Sequence, residues 1–310
     1  MRVATCQFPV SGALVANAGF IKHFMTEAAT EGAHILHTSE AALTGYPGVD
    51  LPDLENYDWT LLRRQTDLLR SHARKLGIYL CLGSAHYLDH GVKPTNCLYL
   101  FGPDGRIVDR YDKCFLTGWN NLQDMHPDDQ VTARQSNPHI PINNLKFPCF
   151  DFAHYSPGDR LVTTVINGVK IGFAICYDAC WPQIYATYGS LGVKLMMSSF
   201  HSGNQKLKPL PFYRIIENQV TTRCADYRMW SVCNNTSAPE SFWGSFVARP
   251  DTTIPKQLEA NRPGMLLYRF PDTEPLWFPN YHPMAVRDDE IMHVGVAVNH
   301  PRRLDGQAEP

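Results

Sequence analysis

The chain has 310 residues, 44% of them hydrophobic and 19% charged, with a formal net charge of -2. That length and apolar content suffice for a large buried core, and one to two domains is the expectation from size. The near-neutral balance leaves no electrostatic footprint for nucleic acid or an anionic membrane, and no apolar run approaches the about 20 residues that cross a bilayer.

MRVATCQFPV opens directly as a strand, without the charged and apolar regions of a secretory leader. Leu14, Ala18, Ile21, Met25 and Ala28 mark one face of a helix that Gly32 ends. A short apolar run at Ile35 and Leu36 then closes at Glu40, before a Gly-Tyr-Pro-Gly turn cluster. The spacing predicts a second helix from Asp58 to Leu76, with Trp59, Leu62, Leu69 and Leu76 inward and Gly77 as its stop. The strand IYLCLGS follows, then strand, Gly-Pro-Asp-Gly turn and strand, with Ile107, Asp109, Tyr111 and Lys113 in alternation. The segment 117–148 is polar and irregular, a length that marks lids and binding loops.

Asn167-Gly168 is a strong hairpin signal. Beyond it Val169, Ile171, Phe173 and Ile175 form one apolar strand face, ending at Cys176. Pro182 suits the first turn of a following helix. A thiol between a strand end and a helix start lies near unpaired backbone N–H groups, a setting that serves a nucleophile. The remaining elements are the strand VKLMMSSF, a helix through RIIENQVTTRCADY, the strand RMWSVCNN, and hairpins around SFWGSFVARPD and GMLLYRF.

Nine cysteines, an odd number without regular spacing, fit reduced thiols in a cytoplasm rather than a disulfide scaffold. Thirteen histidines occur, but there is no C-x-x-C pair or H-E-x-x-H, nor a glycine-rich phosphate loop. Neither a metal nor a cofactor is expected.

Glu40, Lys113 and Cys176 thus all arrive at strand ends. Singly, each reads equally well as a buried thiol or a loop-edge charge; three in one local context point to a site. A carboxylate closing an apolar strand needs a partner. Attack by a thiol on a carbonyl carbon needs a thiolate, a proton shuttle and positive charge at the developing oxyanion. Lys113 supplies the charge and is expected to lower the thiol pKa, and Glu40 shuttles the proton as base and then acid. The backbone N–H of Tyr177 is the second oxyanion donor.

These residues, with Leu43-Thr44-Gly45-Tyr46-Pro47, Tyr111-Asp112-Lys113, Ser156-Pro157-Gly158-Asp159, Cys176-Tyr177-Asp178 and Trp181-Pro182, occur in an order that resembles the nitrilase superfamily of carbon–nitrogen hydrolases. Glu217-Asn218 and Gly244-Ser245 also fall at matching places. The resemblance implies a four-layer α-β-β-α sandwich over residues 1–272, with strand ends gathered at one rim. It also implies a small linear amide as substrate, and a homodimer or higher homo-oligomer paired through the helical layer. The tail 273–310, bearing Trp277, Phe278 and Tyr281, is expected to pack on the body or on a partner subunit.

Two departures stand out. Where similar enzymes carry a second glutamate, this chain has Asp151, one methylene shorter, so the loop comes closer or the support weakens. Gln183 replaces another common glutamate. Nitrile-cleaving relatives have Trp-Glu after the nucleophile; Tyr177-Asp178 here favours amides or N-carbamoyl compounds. Ala179 and Cys180 stand where carbamoylases that bind amino-acid carboxylates place arginines. Tyr46, Trp119, Trp181, Phe200, His201 and Trp243 are candidate pocket residues, with His201 placed to face the substrate.

Overall fold

In the computed structural model, residues 1–89, 91–117, 151–203 and 215–271 are described. The expected lid beyond Thr117, with Trp119, and the tail 273–310 lie outside them. All described residues belong to the unit Met1–Thr273.

Strands β1 (Arg2–Gln7), β2 (Ile35–His37), β3 (Tyr79–His86), β4 (Thr95–Phe101) and β5 (Ile107–Asp112) build one sheet, joined by the late strand β12 (Gly264–Arg269). Its order is β12-β1-β2-β3-β4-β5. Helices α1 (Leu14–Thr30) and α2 (Trp59–Leu76) cover its outer face. Asp58 caps α2 by accepting from Leu61 N, and Gly77 closes it at φ 68°.

The second sheet comprises β6 (Thr163–Ile166), β7 (Val169–Ile175), β8 (Leu195–Ser199), β9 (Trp230–Asn234), β10 (Phe246–Ala248) and β11 (Lys256–Gln257), in the order β11-β10-β9-β8-β7-β6. Helices α3 (Pro182–Ser190) and α4 (Ile215–Tyr227) cover it, with Pro182 in the first turn of α3 as expected.

Strand alternation separates the layers. Val3, Ile35, Leu98, Phe173, Ile175 and Met197 meet between the two sheets, while Ala4, Leu36 and Leu80 face α1 and α2. Ala174 and Met196 face α3 and α4. The four-layer sandwich follows. GMLLYRF departs from the expected hairpin: β12 pairs antiparallel with β1, more than 250 residues upstream, closing the first sheet.

Topology then gathers the strand ends. β2 and β3 are parallel, and two antiparallel steps through β4 return β5 to the same direction. β7, β8 and β9 are parallel to one another. The segment after β2 touches the end of β8 where Glu40 N donates to Phe200 O at 3.3 Å. Residues following β2, β5, β7 and β8 therefore share a rim.

Candidate active site

Glu40 lies in a wholly buried turn three residues past β2. This turn passes so close over β3 that a Cβ at Gly83 would stand 1.9 Å from Ser39 O, so only glycine fits there. Glu40 Oε1 accepts from Lys113 Nζ and from Asn96 Nδ2, each at 2.8 Å. Its Oε2 is buried and has no hydrogen-bond partner among the described residues.

Lys113 follows β5, and its side chain is fully buried. Its backbone is pinned on both sides: Lys113 N donates to Asn96 O at 2.8 Å, and Gly158 N donates to Lys113 O at 2.7 Å. A Cβ on Gly158 would meet Asp112 O at 2.3 Å, which explains the glycine of the Ser-Pro-Gly-Asp motif. The ammonium lies 2.8 Å from Glu40 Oε1 and 2.7 Å from Asp151 Oδ2, with Thr117 Oγ1 at 3.4 Å. Burial opposes its charge, but Asp151 and then Glu40 and Cys176 outweigh that cost, and Lys113 titrates well above the usual lysine range.

Asp151 opens the single helical turn Asp151–His154. Its loop does come close: Asp151 N donates to Thr117 O at 3.0 Å, and Thr117 N donates to Asp151 Oδ2 at 2.8 Å. Tyr46 Oη donates to Asp151 Oδ1. Burial, with Asp151, Glu40 and Cys176 nearby, pushes the Tyr46 hydroxyl well up, so it remains a donor.

Behind Tyr46 lies His201, its ring stacked on the tyrosine at 5.1 Å between centroids. His201 Nε2 is 2.8 Å from Asp50 Oδ2, and both side chains are fully buried. Burial disfavours the imidazolium, yet Asp50 raises the His201 pKa above the usual value. Trp243 and Phe200, expected in the pocket, are core: they pack edge-to-face at 5.0 Å, and Trp243 also meets Phe246 edge-to-face at 5.3 Å. Trp181 stacks on Phe115 at 4.4 Å, and the exposed ring of Tyr177 stands edge-on to it.

Cys176 directly follows β7 with φ 49°, in the left-handed region that a non-glycine residue enters at a cost of about 1 kcal/mol or more. A 3-10 turn, Cys176–Cys180, links it to α3. Tyr177 N–H stands in the first turn, where amides lack intrahelical acceptors. The half-buried Cys176 is perturbed by both Glu40 and Lys113. Burial and then Glu40 push its thiol pKa well up, against the opposing pull of Lys113. This corrects the expectation of a lowered pKa: burial and the two carboxylates outweigh the one ammonium, so the resting sulfur keeps its proton.

Asn96 and Thr117 escaped the sequence reading. The signal for Asn96 is an amide inside the apolar strand TNCLYLF, which demands a buried partner.

An ammonium clamped between two buried carboxylates beside a cysteine at a strand end, in an α-β-β-α sandwich, defines a thiol hydrolase architecture. The carbon–nitrogen hydrolase family model matches residues 2–269, and the chain belongs to that family. Among curated proteins, the omega-amidase NIT2 of Homo sapiens is 26% identical over 259 residues, covering 81% of this chain and 84% of that protein. The omega-amidase NIT2 of Danio rerio is 26% identical over 247 residues, covering 78% of each. Among solved structures, an amidase from Nesterenkonia sp. superposes with a TM-score of 0.67 at 19% identity, over 86% of this chain and 89% of that one. A mutant of the amidase from Nesterenkonia sp. AN1, with the acetamide moiety of fluoroacetamide added covalently at its active site cysteine, gives 0.67 at 18% over the same shares.

Proposed function

We propose that this carbon–nitrogen hydrolase cleaves a small linear amide through a thioester on Cys176, with Glu40 and Lys113 completing the triad. The observation that carries the reading is the division of labour at Glu40. Oε1 is held by Lys113 and Asn96, and Oε2 is left without a partner among the described residues. A buried carboxylate oxygen in that condition is primed to take a proton.

In acylation, Cys176 Sγ attacks the amide carbon as its proton passes to Glu40. The oxyanion forms against Lys113 Nζ and the Tyr177 N–H. Glu40 then returns the proton to the amide nitrogen as the C–N bond breaks, releasing ammonia or an amine. Water, deprotonated by Glu40, attacks the thioester, and the acid leaves with the thiol reprotonated. Asp151 and Tyr46 hold Lys113 in place, and Trp181 with Phe115 walls the thiol side. No metal or cofactor enters this scheme.

Tyr177-Asp178 after the nucleophile favours amides over nitriles, and the names of the omega-amidase and amidase relatives support the same choice. Eight described cysteines are all free thiols, which supports a reducing, cytoplasmic setting. Among the described residues no helix is long and apolar enough to cross a membrane.

A panel of short amides, N-carbamoyl compounds and nitriles, read by ammonia release, tests the reading. Amides or carbamoyl compounds should turn over and simple nitriles should not. Nitrile rates equal to or above those of the matching amides overturn it.

A further inference from the structure

Asp178 sits two residues past Cys176 and is fully buried. All three of its hydrogen bonds come from donors. Tyr111 Oη donates to Oδ2 at 2.8 Å, Ile175 N donates to Oδ2 at 3.0 Å, and Phe115 N donates to Oδ1 at 2.8 Å. Tyr111 and Phe115 flank Lys113 by two residues on either side, and Ile175 immediately precedes Cys176. One carboxylate therefore fastens the segment that presents the ammonium to the turn that presents the thiol, across the two sheets.

Resting on the thioester reading above, we infer that Asp178 is the positioning residue that sets the separation of Lys113 from Cys176. Both of its oxygens are engaged, so it does not itself meet substrate. It also holds the left-handed turn: the bond back to Ile175 N closes a loop around Cys176, offsetting the backbone cost at φ 49°.

An acceptor-only group is required. In an asparagine at this place, the side-chain NH2 would face either Ile175 N–H or Phe115 N–H, whichever way the amide is turned, leaving one donor pair opposed. Burial lifts the Asp178 pKa to about 6, against the backbone bonds from Ile175 and Phe115, the Lys113 charge and the Tyr111 hydroxyl, so the carboxylate is ionised at neutral pH and accepts all three bonds.

The test compares Asp178→Asn and Tyr111→Phe with the wild type. Readouts are kcat and KM on the best amide, the iodoacetamide alkylation rate at Cys176, and the melting temperature. Misplacement of reacting groups by about 1 Å costs on the order of 100-fold, so Asp178→Asn should lose kcat on that scale with KM within about threefold. Alkylation of Cys176 should slow as well. Tyr111→Phe removes one bond of three and should lose kcat by about fivefold or more. A folded Asp178→Asn with kcat within threefold of wild type overturns the inference. Should Asp178→Asn fail to fold, Tyr111→Phe decides: unchanged kcat and alkylation overturn the inference, and a loss of kcat and of alkylation rate with KM retained, in protein still folded at the assay temperature, supports it. Cys176→Ala, run alongside, isolates the underlying reading, because turnover surviving in that variant would end the thioester mechanism whatever Asp178 does.

Discussion

Lys113 Nζ lies 2.7 Å from Asp151 Oδ2 with both side chains wholly buried, and the same ammonium also serves Glu40. Two carboxylates sharing one buried cation make the lysine a structural as well as a chemical necessity. Lys113→Met should lower kcat by about 10²–10³, the scale of a lost oxyanion donor. It should also destabilise the fold by about 3–5 kcal/mol, because both carboxylates remain buried without their counter-ion. Adding Asp151→Asn to Lys113→Met should recover part of the melting temperature and none of the activity. A tenfold or smaller kcat loss with unchanged Cys176 alkylation would place Lys113 outside the chemistry.

Tyr46→Phe removes one donor from Asp151 while Thr117 N still holds the other oxygen. The buried carboxylate is left under-satisfied, at a cost of about 1–3 kcal/mol. A lower melting temperature and a fall in kcat larger than any rise in KM are expected, since in the proposed scheme Asp151 holds Lys113 in place. Chemical denaturation and steady-state kinetics on the one variant measure both. A rise in KM alone would instead put Tyr46 against the substrate.

Much of this arrangement is legible in the residues themselves. Alternation along β7 and β5, together with the Asn167-Gly168 and Pro-Asp-Gly turns, brings Cys176 and Lys113 to strand ends by local rules. Asp58 and Gly77 bound α2 in the same way. What stays hidden is non-local. That GMLLYRF joins β1 depends on the closure of a whole sheet, and no neighbouring residue signals it. Asp151 is legible as a candidate only through the resemblance, and that Thr117 and Tyr46 hold its two oxygens is not signalled locally. His201 follows an apolar strand as a pocket residue would, but its pairing with Asp50, far back in the chain, has no local signal. The direction of the thiol's pKa also escapes motif reasoning, because burial and a second carboxylate oppose the lysine.

Glu40→Gln separates proton delivery from attack. Glutamine cannot protonate a departing amide nitrogen, so the variant should show no burst of ammonia from an amide. A p-nitrophenyl ester of the same acid has a leaving group that needs no proton. Glu40→Gln loses the base for the thiol but also removes a charge that holds the Cys176 pKa up and leaves Lys113 opposite it. The variant should therefore still acylate from the ester, more slowly than wild type, and then stall, giving an acyl adduct on Cys176 by intact mass. A normal ammonia burst would mean that another acid, such as Asp151, carries the step.

His37 gives the acid response of the fold a separate handle. It lies on β2 between the sheets, fully buried, with Nε2 at 2.7 Å from Ser199 Oγ and Nδ1 at 3.5 Å from Thr5 Oγ1. Burial lowers its pKa from 6.5 to about 3. Below pH 6.5 the unfolded chain therefore binds a proton that the folded chain refuses, so His37 costs stability as pH falls, by about 1.4 kcal/mol per pH unit down to pH 3. Asp178 runs the other way. Its folded pKa of about 6 lies above the ordinary 3.8, so its contribution is full below 3.8 and is lost as pH rises through 6. The two oppose each other between about pH 4 and 6, and the wild-type profile alone hides both. Subtracting the urea-unfolding free energy of wild type from that of His37→Asn at each pH cancels Asp178 and every other shared group. The difference should be constant above pH 7 and shift in favour of the variant below 6.5. A difference that stays flat down to pH 4.5 would mean that His37 takes up its proton inside the fold.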